Sequence, residues 1–300
     1  MQKITPNFWF NRNAAEAVAL YTSVFPEARI NKTTYYGKEG YELHQMPEGT
    51  VLTIEFELYG EAFVALNGGP QFQLNPSISL MVMCDTEEEL NRLWDKLSEG
   101  GNVLMALDKY DWSPRYGWCN DRFGVSWQLY LNDDVYTGQK IIPTLMFTRE
   151  QSGKAEEAVH FYTNLFEDSE IEGFLKYEAG DQDKEGLVKH SQFSIRDYIM
   201  AAMDSSGPNA FRFNEALSFI VHCNTQEEVD RYWNGLIAGG GAESQCGWLR
   251  DKYGVSWQIV PQQLYDLMSQ KDKAKASKVV NAMLHMKKLV IADLEAASVK

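Results

Sequence analysis

The side chains with a type and setting suited to chemistry lie on strand-like runs. His190 and Gln192 stand two apart in VKHSQFSI, so period-two alternation puts both on one face. Thr53 and Glu55 are related in the same way in TIEFEL. A histidine there could serve as a base or ligand, or be a strand histidine satisfied by hydrogen bonds. Glu55 becomes a useful base if burial raises its pKa. As a solvated edge-strand carboxylate beside Glu57 it does not. Gln128 and Gln258 close two identical GVSWQ blocks. The tryptophans before them fill the core beneath helices, so the glutamines alternate to the opposite face. Trp9, Tyr110, Trp112, Tyr116 and Trp118 collect in the first half. They are either core and dimer packing or the wall of a pocket for a flat or apolar small molecule.

Several chemistries are excluded. No G-x-S-x-G elbow, P-loop or H-E-x-x-H helix occurs. The cysteines Cys84, Cys119, Cys223 and Cys246 form no C-x-x-C pair, which removes a zinc site and fits reduced thiols in a cytoplasmic protein. MQKITPNFWF has no apolar leader core, and no apolar run is long enough to span a bilayer. A formal charge of −14 disfavours nucleic acid and anionic membranes as partners.

The elements that must position these residues occur twice. KITPNFWF at 3–10 answers KIIPTLMF at 140–147, and AEAVALYTSVFPEARI at 15–30 answers EEAVHFYTNLFEDSEI at 156–171. CDTEEELNRLWDKLSEGG at 84–101 answers CNTQEEVDRYWNGLIAGG at 223–240, and DRFGVSWQLYL at 121–131 answers DKYGVSWQIVP at 251–261. The second copy lacks most of what VLMALDKYDWSPR supplies in the first. Each copy reads as strand, helix and three strands, twice over, which is α+β rather than doubly wound. The divisions are a first domain at 1–131, a linker at 132–139, a second domain at 140–261 and a helical extension at 262–300. Within the extension, 262–270 and 272–298 read as helices, the latter with an apolar stripe from Ala276 to Ala297. That stripe packs on the protein's own body or on a second subunit, giving a homodimer. A basic membrane-surface helix is the competing reading.

Paired βαβββ units, the AEAVALYTSVFP helix and the closing D-[RK]-[FY]-G-V-S-W-Q resemble the vicinal-oxygen-chelate superfamily of glyoxalase I, bleomycin-resistance proteins and extradiol dioxygenases. Within it the chain is similar to the PhnB-like family, labelled a 3-demethylubiquinone-9 3-methyltransferase. The resemblance implies modules joined edge to edge around a cavity holding a ligand or a metal. Metal-binding members draw ligands from four strand positions. Here those offer Thr5 or Pro6, Thr53 or Glu55, Ser77 or Ser79, and Gln128 in copy one. Copy two offers Ile142 or Pro143, His190 or Gln192, Ala216 or Ser218, and Gln258. Each set retains at most two plausible donors, so no metal and no other cofactor is expected. No glycine-rich strand-to-helix turn supports a methyltransferase cofactor.

The resulting expectation is a small-molecule-binding protein with its two copies packed as an intramolecular pseudo-dimer. Trp9, Thr53, Trp112, Gln128, Gln192 and Gln258 would line the ligand sites, and His190 and Glu55 would be the catalytic candidates. His190 and Gln258 are expected in one shared, polar cavity of domain two, with Trp9 and Trp112 narrowing an apolar pocket in domain one. The alternatives are a divalent-metal lyase, isomerase or dioxygenase with its site in domain two, and the methyltransferase of the family label.

Overall fold

The computed structural model describes residues 2–132 and 138–299, so most of the expected 132–139 linker lies outside the described residues. The first module contains β1 (Ile4–Phe10), α1 (Ala14–Val24), β2 (Arg29–Tyr35), the short α2 (Tyr41–His44), β3 (Val51–Leu58) and β4 (Glu61–Asn67). The second contains β5 (Ile78–Cys84), α3 (Glu87–Leu97), β6 (Asn102–Tyr110), β7 (Ser113–Asn120) and β8 (Ser126–Leu131). The third contains β9 (Ile141–Phe147), α4 (Ala155–Leu165), β10 (Glu170–Lys176), β11 (Val188–Ile195) and β12 (Tyr198–Asp204). The fourth contains β13 (Leu217–Cys223), α5 (Gln226–Ile237), β14 (Ala242–Glu243), β15 (Trp248–Arg250) and β16 (Ser256–Pro261). The chain ends in α6 (Gln262–Met268), α7 (Lys273–Leu284) and α8 (Ile291–Val299).

The helices start where the sequence places caps. Thr86 Oγ1 accepts from Glu89 N at 3.1 Å while the Glu89 carboxylate accepts from Asp85 N at 3.0 Å. Thr225 and Glu228 repeat the arrangement on α5. Ala14, Ala17, Val18 and Tyr21 of α1, and Ala155, Ala158, Val159 and Tyr162 of α4, are buried as their spacing requires.

Two eight-stranded sheets form, and each draws on both repeats. Sheet I has the order β14-β15-β16-β13-β1-β4-β3-β2, and sheet II the order β10-β11-β12-β9-β5-β8-β7-β6. The seams are antiparallel: β1 on β13, with Asn7 opposite Ser218, and β5 on β9, with Ser79 opposite Thr144. Modules therefore join edge to edge across the repeats, first with fourth and second with third. The segments joining modules within each repeat clasp one another, Asn75 Nδ2 donating to Arg212 O and Asn214 Nδ2 to Gln73 O.

Within a repeat, contact is made through the helix-covered faces. Tyr21 of α1 donates to Asp121 Oδ2 (2.8 Å), which also accepts from Trp127 Nε1 (2.9 Å). Asp121 Oδ1 accepts from Phe123 N and Val125 N. Tyr162, Asp251, Trp257, Tyr253 and Val255 repeat this unit. The D-x-[FY]-G-V-S-W-Q block is thus a turn wound round a buried carboxylate whose oxygens are all engaged.

The extension departs from the expected single helix over 272–298. It breaks between α7 and α8, because Met286 O and Lys287 O accept from Cys246 N and Gly247 N, and Leu289 O from Gln226 Nε2. These carbonyls are satisfied outside any helix, and the chain folds back on itself.

Candidate functional site

Alternation along the strands gives each sheet a concave face opposite its helices. On sheet I that face carries Thr5, Asn7 and Trp9 of β1, Ser218, Ile220 and His222 of β13, and Gln258 and Val260 of β16. It is filled by the chain itself. Ile220, Val260, Leu264, Val279, Leu289 and Leu294 form one buried cluster, with Val64, Tyr265 and Met283 packed on it. Beneath the helices Asn7 Nδ2 and Gln258 Nε2 both donate to Ser218 Oγ, at 3.3 and 3.0 Å. His222 Nε2 meets Thr5 Oγ1 at 3.0 Å and its Nδ1 is buried without a partner. Burial, with the Arg196 charge adding, pushes the His222 pKa down to about 4, so the ring is neutral.

Sheet II has the same positions and a different cover. Met81 stands where Ile220 stands, Tyr130 where Val260 stands and Ala201 where Val64 stands. Met81, Ile142 and Ala201 form a buried floor, and the partly buried side chains packed on it are Met83, Tyr130 and Ile199, all of this sheet. Gln128 Nε2 donates to Ser79 Oγ (2.6 Å), and Gln128 Oε1 accepts from Tyr116 Oη (2.6 Å). Tyr110, Trp112 and Tyr116 pack together with centroids 4.9–5.8 Å apart, and Trp112 O accepts from Tyr130 Oη. At the other side, His190 and Gln192 lie on β11, with Gln192 Nε2 donating to Glu172 at 2.7 Å. Burial lowers the His190 pKa, the Glu172 charge opposing it, which keeps the imidazole neutral at neutral pH.

The expected groupings change because the modules pair across repeats. His190 and Gln258 do not share a cavity: His190 is on sheet II and Gln258 on sheet I. His190 and Gln192 instead share a sheet face with Gln128 and the Trp112 hairpin. Trp9 and Trp112 are likewise on different sheets, so they do not narrow one pocket. Trp9 packs edge-on against Phe72 (5.0 Å) and Trp248 (5.8 Å). Thr53 is taken up by Thr34, hydroxyl to hydroxyl at 2.6 Å. Glu55 is 38% exposed and faces Lys32 Nζ at 3.9 Å, so the burial that would make it a base is not there. The contrast between a polar second-domain cavity and an apolar first-domain pocket also falls, since both repeats build each face. Alternation along β1 and β13 placed Asn7 and His222 on the concave face. The period-two alternation that places them there is present in the sequence.

Besides His190 on sheet II and Glu55 on sheet I, the metal positions of the superfamily hold hydroxyls and amides, with Gln128 bonded to Ser79 and Gln258 to Ser218. Among the described residues no group of three or more His, Cys, Asp or Glu could hold an ion. This donor set does not fit a zinc-type centre, which needs three or four imidazole, thiolate or carboxylate ligands.

A sequence model of the family described as 3-demethylubiquinone-9 3-methyltransferase matches residues 2–130 and 139–260. The chain belongs to this family. A PhnB protein from Bacillus cereus carrying the same description is 39% identical over 44% of this chain and 100% of its own, with a TM-score of 0.40. A glyoxalase I mutant from Zea mays matches 86% of this chain and 94% of its own at 9% identity and a TM-score of 0.55. A protein from Bacillus subtilis described as a dioxygenase matches 97% and 94% at 10% identity and a TM-score of 0.50. These two show the vicinal-oxygen-chelate fold for the tandem pair. No curated protein matches the chain. Among the described residues no helix is long and apolar enough to cross a membrane.

Proposed function

We propose that this PhnB-like protein binds one small, largely apolar organic ligand on the concave face of sheet II, without a metal. The observation that carries this is the unequal treatment of two equivalent faces. The sheet I face is sealed by α6, α7 and α8, whereas the hydrophobic side chains packed on the Met81 floor, among them Met83 and Ile199, belong to sheet II itself. Methionine and aromatic side chains adapt to irregular or flat apolar shapes. Neutral His190 and Gln192 offer a polar anchor at one side, and the Tyr110–Trp112 hairpin a wall at the other. A metal-dependent lyase, isomerase or dioxygenase lacks its donor set here. The methyltransferase of the family description lacks a glycine-rich turn for its cofactor.

The test is titration with the apolar fluorophore 8-anilinonaphthalene-1-sulfonate. Native protein should bind one equivalent, and Met83→Glu should remove binding while leaving the unfolding transition in place. Unchanged binding in Met83→Glu, or two equivalents in the native protein, refutes the reading.

A further inference from the structure

We infer that a cavity beside Trp9, apart from the Met81–Met83 surface, is a binding site for a neutral polyhydroxylated ligand, a sugar or glycoside. The cavity measures about 550 Å³ and lies where the end of β1, the β4–β5 connection and the β7–β8 turn meet. Trp9, Phe72 and Phe123 give it aromatic walls, and Asn11, Asn102 and Asn120 line it with amides. Among the described residues these three amide side chains make no hydrogen bond within the chain; Asn11 and Asn102 are exposed, and Asn120 is half-buried with its Oδ1 unpaired. A buried polar atom left unpaired costs stability unless something outside the chain meets it.

Few charges line the cavity. The one carboxylate lining the cavity, Asp121, has both oxygens engaged by Tyr21, Trp127, Phe123 and Val125. The one cation, Arg122, lies 5.0 Å over the Phe123 ring. An apolar ligand would leave the amides dry. Vicinal hydroxyls each donate and accept, as carboxamides do, and a pyranose ring presents an apolar face to an aromatic wall. The wall is built in: a Cβ at Gly68 would sit 2.2 Å from the Trp9 indole, so only glycine lets the ring lie there, and Trp9 Nε1 donates to Gly69 O at 2.8 Å. The pseudo-equivalent cavity of the other repeat, about 350 Å³, is lined instead by charged groups, among them Glu150, Arg212, Glu215 and Lys252, and serves as an internal control.

The experiment is an NMR titration of the full chain with methyl α-glucoside, N-acetylglucosamine and maltose to ~100 mM, a range suited to dissociation constants on the order of millimolar. At least one sugar should give saturable shifts at the Gly101, Asn102, Asn120 and Phe123 amides and the Trp9 indole. No saturable shift should occur at Arg212 or Lys252. Asn102→Ala and Asn120→Ala remove no hydrogen bond of the fold and should each weaken binding roughly fivefold or more, the worth of one bond of about 1 kcal/mol. No saturable shift with any of the three sugars, equal shifts at both cavities, or variants that bind like the native chain would overturn the inference. Because none of the residues proposed to hold the ligand on the Met81–Met83 surface is part of this readout, its failure leaves that reading standing.

Discussion

Asp251→Asn probes the unit that joins α4 to β16. The carboxylate is 2% exposed and accepts from Tyr162 Oη at 2.8 Å, Trp257 Nε1 at 2.9 Å, Tyr253 N at 2.9 Å and Val255 N at 3.0 Å. Asparagine keeps one oxygen for the two backbone donors and turns an NH₂ toward the other two. The tyrosine hydroxyl can rotate and accept, but the Trp257 N–H is left without an acceptor, a loss of about 1–3 kcal/mol. The pH dependence sharpens the test. Burial pushes the Asp251 pKa up to about 6. Its unfolded value is near 4, so the carboxyl's contribution to stability is full below pH ~4 and is lost as pH rises through ~6. Between pH 5 and 7 this removes about 1 kcal/mol from the native protein and nothing from the variant. Urea unfolding of both proteins at pH 5, 6 and 7 should show native more stable throughout, by a margin that narrows as pH rises. A margin that is constant or widens with pH would refute the assignment of this carboxyl as the titrating group.

Other outcomes follow from the same packing. Leu294→Ala, at a fully buried position beneath the extension, should cost about 2–5 kcal/mol in denaturant unfolding and open the α6–α8 cover to hydrogen exchange first. A cost below about 0.5 kcal/mol, typical of a surface change, would mean the extension does not seal sheet I. Cleavage at a protease site inserted between residues 132 and 138 should leave the halves co-eluting in size-exclusion chromatography, because each sheet contains strands from both. Separation without denaturant would contradict the cross-repeat seams.

The order of strands and helices was legible because each element carries its own signal. The 3.6 spacing of Ala14, Ala17, Val18 and Tyr21 and the alternation of Ile54, Phe56 and Leu58 are local. The partner of β1 was not. ISLMVMC at β5 and LSFIVHC at β13 offer the same apolar edge, so periodicity cannot choose between them, and the choice rests on long-range geometry between connections. Every misplaced site grouping traces to that one degeneracy. Grouping His190 with Gln258, and Trp9 with Trp112, assigns the wrong partner strand. The break after α7 was also hidden, since no glycine or proline marks it. It is set by Cys246, Gly247 and Gln226, which lie far away in sequence.

The central claim is that sheet II is open to a ligand and sheet I is sealed. Methionine methyls report both faces at once. Met81 and Met83 lie on the sheet II face, while Met283 of α7 and Met286 just after it pack on the cluster that seals sheet I. With ¹³C-methyl methionine labelling and titration of 8-anilinonaphthalene-1-sulfonate, the methyls of Met81 and Met83 should shift and saturate at one equivalent, while those of Met283 and Met286 stay in place. Saturating shifts at Met283 and Met286 with none at Met81 and Met83 would contradict the account.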